Sequence, residues 1–169
     1  MAEPLEEQIG GLLRARGLRL VTAESCTGGL IAHRITNVAG SSDYFLGGVV
    51  AYANEVKAAQ LGVAQETLEA HGAVSREVAV EMARGARERL GAEIAVSVTG
   101  IAGPTGGTAE KPVGTTWIGL SVAEGEAARK FVWQGDRRAN KEQSAQAALQ
   151  MVLDYLQGKD WQSVPSAER

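Results

Sequence analysis

Ser25, Cys26 and Thr27 stand in a row ahead of the glycine pair Gly28–Gly29 in the stretch TAESCTGGL. The apolar run before them reads as a strand and the run after them as a helix. A side chain on a strand-to-helix turn is presented at the edge of a sheet, as in the nucleophile elbow of hydrolases. The free N–H groups of a helix start, here near Thr27, Gly28 and Gly29, can hold an oxyanion or a phosphate. From these residues alone a helix cap is the commoner role for Ser25 or Thr27, because Ser and Thr are favoured N-caps. A nucleophilic serine also needs a base. His33 falls inside a helical pattern and His71 between two short ones, so neither is expected in a strand-end loop. Lys57, in YANEVK with Tyr52, can serve if burial or a neighbouring cation lowers its pKa from about 10.4. The alternative for Lys57 is a solvated helix lysine. A third segment, TGIAGPTGG (99–107), is glycine-rich after a strand. It departs from both GxGxxG and the P-loop, which argues against a dinucleotide fold and an NTPase. Its backbone N–H groups could still wrap a phosphate or ribose.

The elements that must position these segments follow from hydrophobic spacing. LEEQIGGLLRARG is a helix ended by Gly17, and LRLVTA is a short strand. CTGGLIAHRITNVAG is a helix from Cys26 closed by Gly40. YFLGGVVAY is a second strand, apolar throughout and therefore expected to be buried on both faces. Asn54 is expected to cap the short helix EVKAAQLG, and AQETLEAHG forms another. Ser75 caps a long helix, Arg76 to Leu90, with Ala79, Met82, Ala83, Ala86 and Leu90 inward. AEIAVSVTG is a third strand. TTWIGLSVA and AARKFVW form an antiparallel hairpin around EGE. The last helix, from Arg137, turns Ala145, Ala148, Leu149, Val152 and Leu156 inward. Together these elements predict a three-layer α/β/α domain over residues 1–158, with a mixed, largely parallel sheet and a C-terminal hairpin. Residues 159–169 form a polar tail expected to fray. If the first three strands are parallel, ESCTGG, YANEVK and TGIAGPTGG converge at their carboxyl ends, where ligands of open α/β sheets bind.

Composition narrows the function classes. At 169 residues and 44% hydrophobic the chain can build one buried core. A net charge of −3 offers no basic field for nucleic acid or an acidic membrane. One cysteine excludes an internal disulfide, and with two histidines no metal-ligand spacing arises. No apolar run spans a bilayer and the N-terminus lacks a signal core, so a cytoplasmic protein is expected.

Seven stretches, AESCTGG, AGSS, AYANEVKAAQLGV, HGAVS, VTGIAGPTGG, EKPVGT and GDR, occur in this order between Arg16 and Tyr155. In this combination the chain resembles the CinA C-terminal domain family, the nicotinamide mononucleotide deamidases, in its stand-alone form. The resemblance implies hydrolysis of the carboxamide of nicotinamide mononucleotide to nicotinic acid mononucleotide and ammonia, in pyridine nucleotide salvage. It implies a serine amidohydrolase with a lysine partner, no metal, no cofactor, and a homodimer. Ser25, Ser42 (in AGSS), Tyr52 and Lys57 match family positions, and the resemblance leaves open which serine attacks. Strand topology favours Ser25, since Ser42 precedes the second strand and belongs at the opposite edge. Tyr52 is then expected to orient Lys57 or relay a proton. Thr27, Gly28 and Gly29 are the oxyanion candidates. Ser42, Thr99, Gly100, Gly103, Gly106, Gly107 and Arg137 are the substrate-binding candidates, with Lys111 a weaker one for the phosphate. The alternative is a non-catalytic nucleotide-binding or protein-interaction module linked to competence or the DNA-damage response.

Overall fold

The computed structural model describes residues 2–163. The chain runs through α1 (Leu5–Arg16), β1 (Leu20–Glu24), α2 (Leu30–Thr36), a 3-10 turn at Ser41–Asp43, β2 (Phe45–Val50), α3 (Asn54–Leu61), α4 (Gln65–His71) and α5 (Arg76–Leu90). It continues through β3 (Ile94–Gly100), β4 (Thr115–Val122), β5 (Gly125–Val132) and α6 (Arg137–Leu156). The strands form one sheet in the order β2-β1-β3-β4-β5. β1 pairs in parallel with both β2 and β3, while β4 is antiparallel to β3 and to β5. This is the expected mixed sheet with a C-terminal hairpin, turned at Ala123–Glu124.

All five residues of β1 are buried. Their alternation assigns them to two cores, as the period-2 geometry of a strand requires. Leu20 joins Ile9, Leu13, Ile31, Ile35, Leu149 and Val152 under α1, α2 and α6. Val21 and Ala23 join Leu61, Met82, Ala83 and Ala86 under α3 and α5. Small residues bring this second layer unusually close. A Cβ on Gly85 of α5 would overlap the carbonyl oxygen of Leu61, so the end of α3 rests backbone-on-backbone against α5. Among the described residues no helix is long and apolar enough to cross a membrane.

Several local expectations are corrected. α2 begins at Leu30, not at Cys26, because Gly28 and Gly29 take positive φ of 60° and 102° and hold the chain out of the helix. β2 is not buried on both faces: it is an edge strand, with Leu46 and Val50 44% and 51% exposed. Leu90 is exposed at the last turn of α5. Asn54 is the first residue of α3 and does not cap it; Ala53 holds the cap position without a side-chain bond. Ser75 does cap α5, accepting from Val78 N–H at 3.3 Å. The part of the tail up to Ser163 is tied down. Arg129 donates to the Asp160 carbonyl at 2.8 Å, and Trp161 packs edge-on against Tyr155. Residues 164–169 lie outside the described residues.

Candidate active site

The chain leaves β1 through α2 for β2 on one side, then returns over the other face through α3, α4 and α5 to β3 on the far side of β1. The loop after β1 leads towards β2 and the loop after β3 leads on to β4, so the two diverge sideways from the point between β1 and β3. A crevice opens between them at the carboxyl ends of the strands, the binding position of open α/β sheets. A cavity of about 260 Å³ occupies it, with Ser25, Lys57, Tyr52, Thr99, Gly103 and Arg137 in its wall.

Ser25 follows β1 directly and is 7% exposed, and its N–H is fixed by the Val98 carbonyl at 2.9 Å. Lys57 comes from the second turn of α3, which begins just past the end of β2. Its Nζ lies 3.0 Å from Ser25 Oγ and donates to the Tyr52 carbonyl at 2.9 Å. Lys57 is 1% exposed, and among the described residues no carboxylate pairs with it. Burial disfavours the ammonium and lowers its pKa from the ordinary 10.5, against a smaller opposing contribution from Cys26. A desolvated amine without a counter-charge, in contact with a hydroxyl, is a serine–lysine arrangement capable of general-base chemistry. The Cys26 thiol beside it is pushed up to about 11 by burial, so it is not a thiolate at neutral pH.

The helix start of α2 is already occupied. The carboxylate of Glu24, the last residue of β1 and 1% exposed, accepts from Ile31 N–H at 2.9 Å, Ala32 N–H at 3.1 Å and Thr27 Oγ1 at 2.7 Å. The helix dipole is thus met by the chain's own anion. Of the three N–H groups proposed for an oxyanion, that of Gly28 donates to the Ser25 carbonyl at 3.1 Å. Thr27, Gly28 and Gly29 are also not in the cavity wall, whereas Ser25 and Cys26 are. The N–H groups of Cys26 and Thr27, which follow Ser25, have no hydrogen-bond partner among the described residues, and of the two residues only Cys26 lines the cavity. Glu24 escaped sequence reasoning. The available signal was an acid just before a diglycine-broken helix start.

The remaining candidates divide. Tyr52 is 60% exposed and holds the Lys57 amine through its backbone carbonyl, while its side-chain hydroxyl accepts from Arg137 Nη2 at 3.0 Å. Arg137 Nη1 donates to the Gly103 carbonyl at 2.8 Å and draws the glycine loop to α6. Thr99 Oγ1 donates to the Ala73 carbonyl at 2.8 Å, closing the cavity floor. Gly100 and Gly106 line the cavity, but Gly107 packs against Pro112 and Val113 instead. Lys111 Nζ is engaged by the His71 carbonyl at 2.6 Å. Ser42 is exposed in the 3-10 turn before β2. A six-residue strand separates that turn from the carboxyl edge, a span of roughly 20 Å. Among the described residues, no three His, Cys, Asp or Glu side chains are placed to hold a metal ion.

Fold and site define an α/β protein with a buried serine–lysine pair at a sheet switch point. The family model described as the CinA C-terminal domain matches residues 2–156. The chain belongs to that family. It is 55% identical, over 90% of its length, to the CinA-like protein of Chloroherpeton thalassium, and spans 37% of that protein. It is 53% identical to the nicotinamide-nucleotide amidohydrolase PncC of Escherichia coli K12, covering 88% of this chain and 90% of the relative. Among solved structures, the competence/damage inducible protein CihA from Agrobacterium tumefaciens superposes with a TM-score of 0.85 at 42% identity, covering 93% of this chain and 99% of that one. A CinA superfamily protein from Klebsiella pneumoniae gives 0.87 at 34% identity, covering 92% and 99%.

Proposed function

We propose that the chain hydrolyses the carboxamide of nicotinamide mononucleotide to nicotinic acid mononucleotide and ammonia, with Ser25 as nucleophile and Lys57 as base, in pyridine nucleotide salvage. The observation that carries this reading is the 3.0 Å contact between Ser25 Oγ and a buried Lys57 Nζ with no carboxylate partner. With the amine neutral, the Ser25 hydroxyl donates to its lone pair. Lys57 takes that proton as Oγ attacks the carboxamide carbon. The oxyanion rests on the N–H group of Cys26; one such donor typically contributes about 3 kcal/mol. Lys57 then passes the proton to the amide nitrogen and ammonia leaves. A water attacks the acyl-enzyme, its proton returns through Lys57 to Ser25, and the carboxylic acid departs as its anion. The pyridinium charge of the substrate also disfavours a protonated Lys57, which keeps the base ready. The likeness to PncC along 90% of that enzyme supports the substrate.

The test is ammonia release by the purified protein from nicotinamide mononucleotide, with product identified by mass. No release, with nucleotide still bound, would favour the non-catalytic binding module. The chain acts as a homodimer in the cytoplasm on this reading, which light scattering and fractionation check.

A further inference from the structure

A second depression, of about 440 Å³, adjoins the catalytic cavity with Arg137 as a shared wall. Leu30 forms one side and Arg137, Arg138 and Lys141 from the start of α6 form the other. Its only acid, Glu142, pairs with Arg138 at 3.0 Å. Arg137 bonds two neutral oxygens, so its charge is uncompensated. Lys141 is half-buried and makes no ion pair among the described residues. Its Nζ lies 3.8 Å from where a Cβ of Gly28 would stand, over the turn between β1 and α2. The Gly29 N–H of that turn has no partner among the described residues. Neither helix terminus supplies the attraction here, because Glu24 caps α2 and Asp136 caps α6, accepting from Ala139 N–H at 2.8 Å. The glycine-rich loop, for its part, turns the Gly103 carbonyl towards Arg137. An acceptor in that position repels an anion and leaves the lysine side of Arg137 as the open one.

We propose that Lys141, together with Arg137, seats the phosphate monoester of the substrate in this depression. The carboxamide end occupies the neighbouring cavity. The inference rests on the reading of the site as one for a pyridine mononucleotide. A partly desolvated ammonium without a counter-ion is a point charge suited to a phosphate dianion, and the Arg137 guanidinium adds directed donors. The subsite makes the enzyme an amidohydrolase of the nucleotide, selective against the nucleoside.

The test compares kcat/KM for nicotinamide mononucleotide and nicotinamide riboside in the wild type, Lys141→Met and Lys141→Arg. Charge-assisted bonds of this kind correspond to roughly 10- to 100-fold. The mononucleotide-to-riboside ratio should fall by that factor in Lys141→Met, through KM, and recover in Lys141→Arg. An unchanged ratio in Lys141→Met overturns the subsite. Calorimetric binding of ribose 5-phosphate, ribose and inorganic phosphate separates the subsite from the amide chemistry. Wild type that binds the sugar phosphate more tightly than Lys141→Met, yet releases no ammonia, retains the subsite and discards the proposed reaction. Equal binding of the sugar phosphate by both proteins refutes the subsite whatever the hydrolysis assay shows. Binding of inorganic phosphate alone, without preference for the sugar phosphate, also refutes it as a substrate site.

Discussion

Ser25 and Ser42 each lie within three residues of a glycine, in a turn next to a strand of the same sheet. At the carboxyl edge, Ser25 is 7% exposed, its N–H is held by β3, and an uncompensated amine touches its hydroxyl. At the amino edge, Ser42 is exposed in a 3-10 turn, with Asp43 beside it paired to Arg14 at 3.1 Å. The two differ in what the fold brings to them from far along the chain. Lys57 reaches Ser25 because α3 starts at the same edge at which β1 ends. No element crossing delivers a base to the other end of β2. On the proposed reading, reactivity is a property of the sheet edge, and the serine side chain becomes a nucleophile only through it.

The comparison is broken most sharply at Ser25 itself. Ser25→Ala should lose roughly 10³-fold or more in kcat, as expected for a missing nucleophile, while still binding nucleotide. Acid quench during turnover followed by peptide mass spectrometry should place the acyl group on the peptide containing Ser25. Label on the peptide containing Ser42 would reverse the assignment. Lys57→Arg should lose about 10²-fold or more, because guanidinium holds its proton. In the wild type, kcat should rise with pH through an apparent pKa below 10.5, since the active amine is the neutral one and burial lowers its pKa. Retained turnover in Lys57→Arg sends the search for a base elsewhere.

Glu24→Gln sharpens the comparison at the level of the turn. The amide turns one acceptor oxygen into a donor, so either the Ile31 or the Ala32 N–H loses its acceptor, at about 1–3 kcal/mol for a buried group left unpaired. We expect a lower melting temperature and a fall in kcat of roughly tenfold with KM little changed, because a displaced turn misaligns Ser25. A kcat at the wild-type level would confine Glu24 to stability. Ser42→Ala is the smallest perturbation. Its kcat should stay within about twofold, and any loss should appear in binding or stability, in line with an exposed site. A kcat loss comparable to that of Ser25→Ala would refute the separation of the two edges.

Much of this arrangement is legible in the sequence, and the limits have physical causes. The strand–turn–helix reading of TAESCTGGL places Ser25, and the parallel order of three strands brings Tyr52, Lys57 and Thr99 to the same edge. The antiparallel hairpin and the Ser75 cap are read from local pattern alone. The glycine pair was read as part of α2, although the left-handed backbone of both residues delays the helix to Leu30. Whether β2 is central or at the edge is not encoded in an apolar run, since both carry one. Glu24 and Lys141 were invisible for a related reason. Each is an ordinary charged residue in one dimension. Only three-dimensional neighbours show that one is fully bonded and that the other has no counter-ion among the described residues.

The Lys57 amine also carries a cost that the rest of the molecule must bear. In the unfolded chain it holds its proton up to pH 10.5; in the folded chain it sheds it at lower pH. Between those two values unfolding takes up a proton, so folding stability climbs with pH and levels off only above the unfolded value. Below both values the folded state keeps a desolvated ammonium and bears the full cost of burying it. Hence the site is a standing source of instability at neutral pH, and Lys57→Met should raise the denaturation midpoint there while its lead over the wild type shrinks in alkaline solution. Equilibrium unfolding of the two proteins across that range measures the difference; a constant offset would mean that the lysine is not desolvated. The close seating of α3 on α5 at Gly85 then has a second meaning. It is a counterweight, dense packing at Leu61, one helical turn along α3 from a residue that works against the fold.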